Sequence, residues 1–372
     1  MPTAQPLPEP MPHIGPILDD RVRPMRFDPL ELAKVLSHYD LGVLEQLRTY
    51  SRGSPRAPKV RIRTRQGDFL LKRRAPGRDD PYRVAFAQGL QLYLAQHGYP
   101  VAGIVGTRDD NNSMLQLNGR IYELFRFMPG IRYDSSTAST ESSGQALATL
   151  HRLLVDYQSP YDPPHSSYHA AAAIDAKLAR IPEAVAAREP QADQQALGRT
   201  CEFLRGAYHE AAAHVDRAGF RSWRRGIIHG DWHPGNLLFA GPAGEVSAVL
   251  DFDSARLEPL MADVANAALQ FSMTWATGED PAAGPCDLDL DRLHRLMRGY
   301  DHSSGNTIDR DELAALPWLM TEALVLESVI PIAATGMFGR LSGSGFLRMV
   351  ESKVQWIMPR AETLIRCARD IR

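Results

Sequence analysis

The segment Ile227-Ile-His-Gly-Asp-Trp-His-Pro-Gly-Asn-Leu-Leu-Phe239 sets polar residues between two apolar runs, and further on Val249-Leu250 runs into Asp251-Phe252-Asp253. An apolar strand that ends in carboxylates delivers them to a sheet edge, where a metal reaches them. Asp231, Asn236 and Asp251 offer only oxygen atoms. Hard oxygen donors suit Mg2+, which takes one or two protein oxygens and leaves the rest to phosphates and water. Phosphoryl transfer needs such a set: a carboxylate to orient the attacking hydroxyl, with an Asn and an Asp to hold the metal. Two other chemistries compete. His-Pro-Gly-Asn is good turn chemistry on its own, but it leaves Asp251 unexplained. His229, Asp231 and His233 alternate as zinc ligands on a strand would, yet Pro234-Gly235 interrupts any strand and no further His lies near Asp251.

These residues need a frame. Residues 1–24 hold seven prolines and little apolar periodicity, and read as a tail or surface arm. Residues 25–128 are mostly of strand texture. Lys59-Val-Arg-Ile-Arg-Thr-Arg65 and Phe69-Leu-Leu-Lys-Arg73 flank a turn with Gly67, and Asn118-Gly119 separates two further runs, so two hairpins are expected. Between them Asp80-Pro81 reads as an N-cap with proline in the first turn. The helix it opens carries Phe86, Leu90, Tyr93 and Leu94 on one face and stops at Gly98. After Met128-Pro-Gly130 the texture turns helical, marked by Leu147, Leu150 and Leu154, then by Leu197, Cys201, Leu204, Tyr208, Ala211 and Val215. The strand-rich interlude around Asp231 and Asp251 interrupts it, and the last hundred residues read as two or three packed helices.

His229-Gly-Asp231 with Asn236 and then Asp251-Phe-Asp253 resembles the catalytic loop and metal aspartate of the aminoglycoside phosphotransferase and choline kinase superfamily. The resemblance implies an α+β, bilobal protein-kinase-like fold: a small β-rich N-lobe over residues 25–128 and a larger helical C-lobe over 129–372. It also implies an ATP- and Mg2+-dependent kinase acting on the hydroxyl of a small molecule, with Asp231 as the catalytic base and Asn236 and Asp251 on the metal. Leu71-Lys72 looks like the strand lysine that contacts nucleotide phosphates. Tyr122-Glu-Leu-Phe-Arg-Phe-Met-Pro-Gly130 is similar to the hinge that receives adenine, with Glu123 and Phe125 as its nucleotide contacts. Ser51, Gly53 and Ser54 stand where a phosphate-covering loop belongs. The spacing from Asp251 to Asp263, and the string Arg63-Thr-Arg-Gln-Gly-Asp-Phe-Leu-Leu71, are similar to homoserine kinases of this fold. One departure stands out: kinases of this fold pair the lysine with a glutamate of the N-lobe helix, and Tyr82–His97 contains no acidic residue. Gln88 or Gln91 takes its place, or a residue from outside that helix does, or Lys72 stays mobile until ATP arrives. The departure also makes a non-catalytic pseudokinase or nucleotide-binding module the alternative, less favoured because Asp231, Asn236 and Asp251 are all present.

Bulk properties bound the rest. A net charge of −2 and 23% charged residues carry no basic excess for nucleic acid or a membrane surface. Lys72 is flanked by Arg73 and Arg74, so a solvated basic stripe is the reading that competes with its role toward phosphates. Three scattered cysteines fit a reducing compartment, and with no leader-like start the expected location is the cytoplasm. The apolar stretch around 323–334, broken by Glu327 and Pro331, reads as a buried helix. Mixed charges over 168–220 lack the acidic wall that would single out a polycationic aminoglycoside, and small zwitterionic or neutral alcohols, such as amino acids, amino alcohols or sugars, fit at least as well as an aminoglycoside-like acceptor.

Overall fold

The computed structural model describes residues 25–50, 56–241, 244–276, 280–304 and 308–369. Ser51, Gly53 and Ser54 lie outside them. The chain opens with a helix, α1 (Pro29–Leu36), capped by Asp28 in a capping box with Glu31. Five strands follow, β1 (Leu44–Thr49), β2 (Lys59–Thr64), β3 (Gly67–Arg73), β4 (Leu115–Leu117) and β5 (Arg120–Arg126), with α2 (Pro81–Gln96) between β3 and β4. They form one antiparallel sheet in the order β1-β2-β3-β5-β4. Both hairpins form as their turn residues require: Gly67 takes φ +134°, and Asn118 and Gly119 take +52° and +69°. The run Val101–Val105, by contrast, makes only isolated bridges, Val101 to Val249 and Ile104 to Phe125.

Period-2 alternation sorts this sheet into two faces. Val60, Ile62, Phe69, Leu71, Tyr122 and Leu124 pack with Val35, Tyr39 and Leu41 into a small core. Lys59, Arg61, Leu70, Lys72, Glu123 and Phe125 are cross-strand neighbours on the opposite face. Helix α1 has no counterpart in the strand texture expected over 25–128. Glu31 docks it, its carboxylate taking Arg73 at 2.6 Å, the Tyr122 hydroxyl at 2.7 Å and Arg120 at 3.0 Å.

The remainder is helical around two small ribbons. Helices α3 (Thr137–Leu153), α4 (Ile174–Ala186) and α5 (Gln194–Arg217) precede β6 (Arg225–Ile228), β7 (Leu237–Ala240), β8 (Glu245–Val249) and β9 (Arg256–Pro259). Strand β6 pairs with β9 and β7 with β8, both antiparallel. Then come α6 (Leu260–Ser272), α7 (Leu290–Ser304), α8 (Arg310–Ala314), α9 (Leu316–Thr335), α10 (Gly343–Ile357) and α11 (Ala361–Arg369). The C-terminal region is therefore five helices among the described residues, not two or three, because Pro317, Gly336, Gly343 and Pro359 divide the apolar sequence into shorter rods. Helix α9 is long and apolar enough to cross a membrane, but its side chains are mostly buried in the large core, as the stretch 323–334 suggested.

Candidate active site

Two loops meet at the mouth of the ribbons. The first runs from β6 to β7 and is held from beneath. Asp263, buried on α6, accepts the backbone N–H groups of His229 at 2.7 Å and Gly230 at 2.9 Å, and His151 Nε2 lies 3.2 Å from it. Tyr300 in turn bonds His151 Nδ1 at 2.9 Å. Burial pushes the His229 pKa down despite the nearby Asp263 and Asp231 carboxylates, so its ring is neutral. Its Nε2 then donates to the Leu250 carbonyl at 3.0 Å, while Nδ1 accepts the Asp231 N–H at 3.3 Å. His233 Nδ1 accepts the Gly235 N–H at 3.0 Å. Each imidazole thus braces backbone, and the alternating His-Asp-His set does not converge on one point.

Bracing leaves Asp231 presented at the loop's apex, its side chain 24% exposed. Asn236, in the turn Pro234–Asn236, donates its amide to the Asp231 backbone oxygen at 2.9 Å and to Oδ2 at 3.0 Å. Its amide oxygen remains as the atom to offer a cation. Burial works to raise the Asp231 pKa, but His233, His229 and the Asn236 bond outweigh it and hold the carboxyl well below the usual range. An always-ionised carboxylate orients a hydroxyl strongly and accepts its proton late.

The second loop joins β8 to β9. Asp251 sits at φ +62°, a left-handed conformation that costs a non-glycine residue energy and recurs at functional sites. The Lys72 ammonium reaches across from β3 to lie 3.4 Å from Asp251 Oδ1 and 2.9 Å from Asp253 Oδ2. Residues 179 positions apart in the chain are thereby joined. Burial alone would lower the Lys72 pKa; Asp251 and Asp253 reverse that and raise it. A buried cation on these two carboxylates marks a place built for positive charge, and hard oxygen donors fit Mg2+ there.

The expected glutamine partner for Lys72 does not exist. Gln88 donates instead to Glu123 Oε1 at 2.8 Å, and Gln91 to the Ala87 carbonyl at 3.3 Å. The hinge contacts also need correction. Backbone groups alternate sides in an antiparallel ladder. Arg74 N bonds Ile121 O and Phe127 N bonds Asp68 O toward β3, whereas Leu124 O and Arg126 N serve Val105 and Gly103 on the other side. Glu123 and Phe125, opposite Lys72 and Leu70, therefore turn their backbone toward β3 and have none to give a base. The linking segment begins only after Arg126. The Glu123 side chain instead holds Arg74, Nε to Oε2 at 2.5 Å and Nη2 to Oε1 at 2.8 Å. Arg74 Nη1 also reaches Asp253 Oδ1 at 2.6 Å. Arg74 is therefore no part of a solvated stripe: it is 6% exposed and Glu123 is fully buried. Its one clue in sequence is the two-residue step from Lys72, which puts both on the same face.

Two more groups approach the loops. Lys59 stands opposite Lys72 across β2–β3. Burial and then the Lys72 charge bring its pKa down to about 8, although Asp251 and Asp253 favour its charged form. Glu327 of α9 accepts the Gln270 amide at 2.9 Å, and burial followed by the Asp231 charge raises its pKa well above the ordinary value.

Comparison with known proteins fits this arrangement. Residues 52–300 match the model of the phosphotransferase enzyme family. The chain is 28% identical over 240 residues to the homoserine kinase of Methylocella silvestris, covering 63% of this chain and 67% of that one. To the homoserine kinase of Rhodopseudomonas palustris it is 25% identical over 296 residues, 78% and 79% of the two chains. Among solved structures it is similar to a microcompartment-associated aminopropanol kinase, with a TM-score of 0.66 at 15% identity over 91% of this chain and 98% of that one. It is also similar to an amicoumacin kinase in complex with AMP-PNP, Ca2+ and Ami, with a TM-score of 0.61 at 14% identity over 93% of each. At such identities the structural likeness speaks for the fold alone: a bilobal, protein-kinase-like α+β architecture.

Proposed function

We propose, from the premise that this chain belongs to the phosphotransferase enzyme family and is a small-molecule kinase, that it moves the terminal phosphoryl group of ATP to the hydroxyl of a small amine-bearing alcohol, with Mg2+, in the cytoplasm. The observation that carries it is the Lys72 ammonium set against Asp251 and Asp253, beside an Asp231 already bonded to Asn236. Asp231 orients the acceptor hydroxyl and takes its proton. Asn236 and Asp251 offer oxygen atoms to the metal, and Lys72 supplies a charge to the phosphates. Mg2+ held there would supply positive charge to the phosphoryl oxygens.

The acceptor class rests on two supports. The relatives described above act, by their names, on homoserine and aminopropanol, each a small alcohol with an amine. Glu327 places a second carboxylate near Asp231, which favours a cationic group in the acceptor. The reading as a non-catalytic module is set aside by the complete Asp231, Asn236 and Asp251 set.

ADP release measured across a panel of hydroxy amino acids, amino alcohols and aminoglycosides tests the reading. Acceptor-dependent turnover is expected with the first two groups, with Mg2+ dependence lost in Asp251→Ala. No acceptor-dependent turnover anywhere in the panel, or an Asp251→Ala enzyme with unchanged Mg2+ dependence, would overturn it.

A further inference from the structure

Asp253 spends both carboxylate oxygens on the first sheet, Oδ1 on Arg74 at 2.6 Å and Oδ2 on Lys72 at 2.9 Å. Its side chain is 14% exposed, against 44% for Asp251 two residues earlier. The two acids of Asp251-Phe-Asp253 have thus divided their work: Asp251 is half open to solvent and touched by Lys72 through one oxygen, while Asp253 is bolted down. The bolt is itself held. Glu123 accepts a hydrogen bond from Arg74 Nη2 and pairs in charge with its Nε, Gln88 donates to Glu123, and Ser113 donates to Gln88 Oε1 at 2.6 Å. Arg74, Glu123 and Gln88 are each less than a tenth exposed. Helix α2 packs directly on the turn Phe252–Ser254. The chain of contacts therefore crosses the helix-to-strand stretch before β4, α2, β5, the end of β3 and the β8–β9 loop.

We infer that Arg74, clamped by Glu123 and Gln88, is a positioning residue: it fixes Asp253 and thereby aims Asp251. A helix without any acidic residue still acts on the site, through an amide on Glu123 and not through a carboxylate on Lys72. The geometry of the clamp suits that role. A planar guanidinium hydrogen-bonded through Nη2 and charge-paired through Nε to one buried carboxylate keeps Nη1 toward Asp253, a direction a lysine ammonium would not hold. Asp251, held at φ +62°, depends on such support, because a strained backbone persists only where its surroundings over-determine it.

This inference rests on the reading of Asp251 as the metal carboxylate, and the test separates the two. Binding of ADP is measured by calorimetry without metal and in a Mg2+ titration, for the wild type, Arg74→Lys and the double variant Arg74→Met with Glu123→Leu. The double variant removes a buried ion pair as a unit, which is often neutral for stability, whereas removing one partner is not. ADP affinity without metal should stay near wild type, while the Mg2+ concentration for half-saturation rises by roughly 10-fold or more, the usual effect of losing an outer partner of a metal ligand. Arg74→Lys should shift in the same direction by a smaller factor, and it decides the matter if the double variant does not fold. Unchanged Mg2+ half-saturation in a folded variant overturns the positioning role. Absence of any Mg2+ effect on ADP binding in the wild type overturns the metal reading itself, before a variant is made.

Discussion

Gly230 stands one residue before the proposed base, at φ +75°, with no room for a side chain: a Cβ there would meet Arg256 Nη1 at 2.1 Å and the Ser254 carbonyl at 2.3 Å. Arg256 uses that closeness, bonding the carbonyls of Gly230 and Ser254 at 3.2 Å each and so tying the Asp231 loop to the Asp251 loop. Gly230→Ala adds left-handed strain of about 1–2 kcal/mol to a clash with backbone that has nowhere to go. Denaturant unfolding should register at least that loss, and turnover should fall more than ATP affinity, since the two loops move apart. A variant with wild-type stability and turnover would mean that this contact is slack. Lys59 invites a different test. It faces Lys72 on the same sheet surface, near Asp251 and Asp253, so it is placed to meet a polyanion as a second charge. Lys59→Met should weaken ATP binding by roughly tenfold, the worth of a charged hydrogen bond, and leave adenosine binding unaltered. Equal weakening of both would assign Lys59 to packing.

At the scale of elements, the segment 166–171 is fastened between α5 and α9, by Tyr208 on one side, Glu322 on the other and a histidine that reaches both helices. His169 Nδ1 lies 2.9 Å from Glu322, and Nε2 lies 3.4 Å from Asp216. Burial opposes protonation of His169, but Glu322 and Asp216 win and raise its pKa. Glu322 is raised too, chiefly by burial. Both shifts have one sign. The folded state holds protons more tightly than the unfolded chain, so the His169 contribution is complete below its unfolded pKa, near 6.5, and fades as pH rises through the raised folded value. Thermal unfolding between about pH 6 and pH 9 should therefore show Tm falling, and His169→Gln should flatten that slope. A slope untouched by the substitution would locate the titration elsewhere.

The same scale explains what was legible in sequence. The hairpins announced themselves because Gly67 and Asn118-Gly119 serve backbone angles other residues avoid, and α2 because Asp80 caps it, accepting from Arg83 N at 3.0 Å. The loops around Asp231 and Asp251 were legible because polar chemistry sat between apolar runs. Helix α1 was not: Leu30 is 78% exposed, and the apolar stripe is short, Leu32, Val35 and Leu36 on the small core. Its readable sign was the Asp28-Pro29-Leu30-Glu31 capping box. Glu123 and Arg74 escaped for a related reason. Their partners are cross-strand or come from the β8–β9 loop, and local pattern carries no record of register between distant strands.

For the molecule as a whole, α9 is the hub. It contacts α4, α5, α6, α8, α10 and α11 and is nearly all apolar, yet it carries Glu322 and Glu327 inward. The two acids have opposite circumstances. Glu322 is fully buried and matched by His169 and the Ala170 N–H at 2.9 Å, so it serves the fold. Glu327 is partly exposed, accepts the Gln270 amide, and faces the repulsion of Asp231. Arg256 only partly offsets that repulsion. Burial and the Asp231 charge favour the protonated form of Glu327, and an acceptor amine beside it would draw the carboxylate back. Glu322→Gln should lower Tm by several degrees and leave the acceptor KM near its wild-type value. Glu327→Gln should leave Tm unchanged or raised, because a neutral amide replaces a group whose charged form burial and Asp231 oppose, while the KM for amine-bearing acceptors rises by roughly tenfold, one charged contact's worth, and the KM for ATP holds. If Glu327→Gln lowered Tm as Glu322→Gln does, with no change in acceptor KM, both acids would belong to the core, and the amine would have to be recognised by another wall of the site.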